Sequence, residues 1–116
     1  MLPRVVLFNE VSVDGRIDGF SVDMGRYYGL AARWEVDATL AGSNTLLNAY
    51  GPEESLEEDS SAFEPPSRDP EDPRQLLVVV DSRGRLRSWS RLRQEPYWRD
   101  VIALCSRSTP REALEL

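Results

Sequence analysis

The sequence contains no lysine and no histidine, and only one cysteine, Cys105. Each absence closes off a kind of chemistry. Without histidine there is no Ser-His-Asp or Cys-His nucleophilic machinery and no histidine-held zinc. Without lysine there is no Walker-type grip on phosphate and no Schiff base. One cysteine makes neither an internal disulfide nor a thiolate metal cluster. Long apolar runs are missing too. The longest, Val5-Val6-Leu7-Phe8 and Leu76-Leu77-Val78-Val79-Val80, are strand-sized, so the reading is of no membrane association. No long apolar segment follows the first basic residue, as a signal peptide would require, and a cytoplasmic location is the expectation.

What is present is a chain of 116 residues, 41% hydrophobic, a composition that suits one small domain. Fourteen basic residues, all arginine, face twenty acids for a net charge of −6. Such a chain is a poor nucleic-acid binder, because phosphate neutralisation dominates that affinity. The acid is concentrated. From about 50 to 74 nine carboxylates meet only Arg68 and Arg74, a local charge of −7, and the remainder is close to neutral. Five prolines and four serines share this stretch, which lacks the apolar surface to offset chain entropy. It reads as a long mobile loop, either a tolerated insertion or a flap or partner-binding segment.

Arg4 to Ser12 predicts a first strand, apolar on both faces as a buried parallel strand requires. Asp14-Gly15 and Asp18-Gly19 mark turns. Met24, Tyr27, Tyr28, Leu30, Ala31 and Trp34 predict a helix from about Asp23 to Glu35, with Ser21 or Asp23 as N-cap. Ala38 to Gly42 reads as a strand, Ser43 to Ala49 as a brief helix with Leu46 and Leu47 inward, and Gln75 to Asp81 as a strand. Ser82 to Pro96 is basic and polar with Trp89 as its anchor. Asp100 to Cys105 reads as a fourth strand, and Ser108-Thr109-Pro110 opens a last helix. The alternation predicts an α/β fold, a largely parallel sheet joined by right-handed crossovers. Four apolar strands with few helices to cover them suggest that residues 1–116 are the N-terminal portion of a larger domain, or are completed by another chain.

Three polar segments fall where parallel strands end, the side on which ligands bind in open α/β sheets. Asn9 to Ile17 offers hydroxyl, carboxylate and glycine, and equally fits an ordinary polar turn. Ala41-Gly42-Ser43-Asn44-Thr45 opens a helix whose free N–H groups suit an anion, or simply carries an N-cap. Val79-Val80-Asp81-Ser82-Arg83 pairs serine with an arginine suited to forked phosphate contacts, or is a solvated turn.

Together these blocks, Ser12-Val13-Asp14-Gly15-Arg16-Ile17, Asp37 to Leu47 and Val78-Val79-Val80-Asp81-Ser82, resemble the dihydrofolate-reductase-like reductase domain of riboflavin biosynthesis, the RibD C-terminal family. The resemblance spans roughly residues 4 to 105. It implies an NADPH-dependent reductase acting on a ribosylaminopyrimidine 5′-phosphate, reducing ribosyl to ribityl, and a homodimer. Carried over position by position, Val11 approaches the nicotinamide half through its backbone, and Ser12 and Asp14 lie where cofactor and substrate meet. Asp14, or water, supplies the proton, Arg33 holds the substrate phosphate, and Thr45 and Ser82 contact the cofactor. Arg33 also fits a plain helix-end arginine. The chain departs from the family in two ways: Ala49 stands where the family has a cofactor-contacting aspartate, and the family's glycine-rich phosphate segment has no counterpart here. The reading from another functional class is a truncated, non-catalytic reductase-like module that associates with itself or a partner.

Overall fold

The computed structural model describes residues 1–50, 69–87 and 89–114. The bulk of the acidic stretch lies outside these. The chain forms two compact units, Met1–Glu35 and Val36–Leu116.

In the first unit, helix α1 runs from Met24 to Ala31. Asp23 is its N-cap, its Oδ1 accepting from the Arg26 amide at 3.0 Å, which satisfies one of the donors a helix start leaves open. The helix ends four residues earlier than its apolar spacing predicts and has no fully buried residue. The stretch expected to be the first strand, 4–12, is not a strand. From Val5 to Ser12 its exposure alternates: Leu7 is 89% exposed, while Val6, Phe8, Glu10 and Ser12 are half-buried. The Phe8 ring leans on Tyr27 with centroids 4.9 Å apart, and Tyr27 stands edge-on to Tyr28 at 5.4 Å. Partial burial pushes the Tyr27 hydroxyl pKa above its ordinary value, with Tyr28 and Glu10 adding to the shift.

The second unit holds strands β1 (Ala38–Gly42), β2 (Gln75–Val80) and β3 (Trp98–Leu104) with helices α2 (Ser43–Tyr50), α3 (Trp89–Gln94) and α4 (Arg111–Leu114). The order is β1-β2-β3, and both pairs are parallel. This is the α/β plan the alternation predicts, with three strands among the described residues instead of four. Valine and leucine fill β2 as β-propensity favours, and its residues alternate between two faces. Leu77 and Val79 face a core completed by Leu46 of α2, Leu86, and Leu92 of α3, with Ala41, Trp89, Trp98 and Val101 around it. Burying each such side chain stabilises by about 1.5–3 kcal/mol. Leu47, expected inward, is only half-buried.

Among the described residues of the second unit, none covers the opposite face. Leu40, Val78 and Ile102 share one register level, and Val80 and Leu104 share another. Leu40 is 68% exposed, and Val80, Ile102 and Leu104 are exposed beside it. The sequence expectation of strands buried on both faces therefore holds for only one face of the second unit.

Helix α3, which the sequence leaves unread, is fixed by its surroundings. The Trp98 indole N–H donates to the Leu92 carbonyl at 2.6 Å, which also accepts from the Glu95 amide at 3.3 Å, so the helix end is doubly tied. Arg93 pairs with Asp100 at 3.3 Å, both largely shielded from water. Ahead of β2, Arg74 grips Asp72 through three side-chain contacts, the shortest 2.7 Å.

Candidate functional site

The register aligns Gly42, Val80 and Leu104, so all three parallel strands end at one level. Ser43, Asp81 and Cys105 each take over from there, and their segments form one rim at the carboxyl edge of the sheet. β1 passes into α2 with no intervening loop, which sets Ser43, Asn44 and Thr45 in the first helical turn. Leu46, buried beneath, anchors that turn to the core while Thr45 stays exposed.

Asp81 organises the neighbouring loop. It is 2% exposed, and its carboxylate accepts from the amides of Arg85 at 3.0 Å and Leu86 at 2.9 Å. Its own amide donates to the Leu104 carbonyl at 3.0 Å, and its carbonyl accepts from Gly84 at 3.1 Å. Gly84 has a φ of +62°, and a Cβ there would collide with the side chain of Ala113, so the tight return of the loop needs glycine on both counts. Folded back in this way, the loop sends Arg85 across to α2. Its Nη2 donates to Ser43 Oγ at 3.0 Å and to Asn44 Oδ1 at 2.5 Å.

On the other side, the buried Thr109 hydroxyl donates to the Ser82 carbonyl at 2.7 Å and accepts from the Ser106 amide at 2.8 Å. Arg85 and Thr109 thus stitch three successive strand-end segments together. A cavity of about 250 Å³ opens beside this rim, walled by Asp81, Gly84, Trp89 and Cys105 among others. The Cys105 thiol is free.

Of the residues named from sequence, Thr45 and Ser82 lie on segments that Arg85 connects. Both are exposed. The arginine that reaches α2 is Arg85; the sequence points to Arg83, whose position in the chain after serine gives no sign of the fold-back. Asp81 and Thr109 also escape a sequence reading, since their partners are set by the folded loop. Ala49 is exposed on α2.

The remaining residues belong to the first unit. Ser12 and Asp14 are brought together by a tight turn. The Ser12 hydroxyl donates to the Asp14 carboxylate and accepts from the Arg16 amide at 2.9 Å. The Ser12 amide donates to the Arg16 carbonyl at 2.8 Å, and Gly15, with φ +83°, makes the corner. Arg16 Nε lies 3.2 Å from Asp14. Val11, before this turn, is exposed. Arg33 follows α1, its amide bonded to the Leu30 carbonyl at 3.1 Å, and it makes no ion pair among the described residues.

Among the described residues no cluster of acids and cysteine is arranged to hold a metal ion. No described helix is long and apolar enough to cross a membrane. No family model, curated protein or solved structure matches the chain.

Proposed function

We propose that the chain is an NADPH-dependent reductase of the kind its sequence blocks resemble, acting on a ribosylaminopyrimidine 5′-phosphate. One observation carries this reading: the carboxyl-edge rim on which Arg85 joins the first turn of α2 to the Ser82 loop. Among the described residues the Arg85 guanidinium at the positive end of this helix bonds to the neutral oxygens of Ser43 and Asn44 and forms no ion pair. An anion seated there gains charge-assisted contacts from the guanidinium and hydrogen bonds from the amides and hydroxyls of Ser43, Thr45 and Ser82. This donor set suits the phosphates of a dinucleotide.

NADPH, when bound, supplies the hydride, and the protein supplies position and electrostatics. In this reading Thr45 and Ser82 hold the cofactor; the family resemblance carries the nicotinamide contact to the Val11 backbone and the substrate phosphate to Arg33. The proton comes from water or from Asp14; as a carboxylate that accepts from Ser12 and pairs with Arg16, Asp14 passes on only a proton it has first taken from water. The chain works as a homodimer in the cytoplasm, in the riboflavin pathway.

Calorimetric titration with NADPH tests the reading. Ala49 removes a family contact, so wild-type affinity is expected in the high-micromolar range. Thr45→Val and Ser82→Ala should each weaken binding about 2- to 13-fold, the equivalent of roughly 0.5–1.5 kcal/mol. Arg85→Met should cost about 10- to 150-fold, a charged hydrogen bond being worth roughly 1.5–3 kcal/mol. No heat at millimolar NADPH would remove the chain from this chemistry. Unchanged affinity in all three variants would reject the rim as the cofactor site.

A second reading, a non-catalytic module that associates through its sheet, is favoured by the uncovered apolar face around Leu40 and Ile102.

A further inference from the structure

We draw no further inference here: the strongest candidate, the exposed apolar sheet face formed by Leu40, Val80, Ile102 and Leu104, already belongs to the association reading above, and nothing in the structure shows what covers it.

Discussion

Asp72 shows how a single side chain responds to one neighbour. Hydrogen bonds from the Arg74 side chain and backbone hold its carboxyl down to about 2, against an ordinary 3.8, and the charges of Arg74 and Arg99 act in the same direction. A carboxyl depressed in the folded state favours folding above its ordinary pKa, and that contribution fades as pH falls through about 2. Because the ion pair lies at the surface, with the Arg74 side chain 43% exposed, the effect should be visible in the Asp72 titration before it is visible in overall stability. Following the carboxyl carbon by NMR should give a midpoint near 2, moving part of the way to 3.8 in Arg74→Gln, which keeps the backbone hydrogen bond. A midpoint unmoved by that substitution would mean that the ion pair is not formed in solution.

Elements differ in how far local sequence dictates them. β1 and β2 are legible because short apolar runs stop at turn residues, and the Asp23 cap is legible because aspartate precedes an apolar helical period. Thr45 and Ser82 follow directly from those strand ends. Helix α3 is not legible: its six residues carry only Trp89 and Leu92 as apolar markers, too few for a period to register. The segment 4–12 misleads in the other direction. Four adjacent apolar residues suggest burial on both sides, whereas their exposure alternates. The bonds that make the rim are harder still, since Arg85 meets Ser43 across 42 residues and Thr109 meets Ser82 across 27. No pattern within a window of sequence records such pairs. The two faces of the sheet give a direct energetic test. Leu92→Ala removes a side chain with no exposed surface and should cost about 2–5 kcal/mol in denaturant unfolding. Leu40→Ala, on the open face, should change stability by no more than about 0.5 kcal/mol. Equal losses would show that the open face is buried in solution.

For the whole molecule, that open face bears on association. Parallel sheets are ordinarily covered on both sides, and a contiguous patch of leucine, valine and isoleucine is a common mark of a contact surface. Sedimentation at tens of micromolar should show a species heavier than the 13.2 kDa chain. Ile102→Glu should shift the protein toward monomer, because a charge buried there without a partner is costly. A wild-type monomer at all concentrations would count against association. The buried carboxylate of Asp81 has a different consequence, in the tempo of backbone opening. Loops usually surrender their amide protons to solvent long before strands do. The amides of Arg85 and Leu86 lie outside every helix and strand, yet each is held by a shielded acceptor and Leu86 is itself buried. In deuterium exchange these two should be lost as slowly as the amides of β2, an island of protection within a turn. In Asp81→Ala the same two amides should exchange at loop rates while Val78 and Val79 keep their protection. The Asp81 carboxylate would then be identified as the clasp that keeps this turn closed.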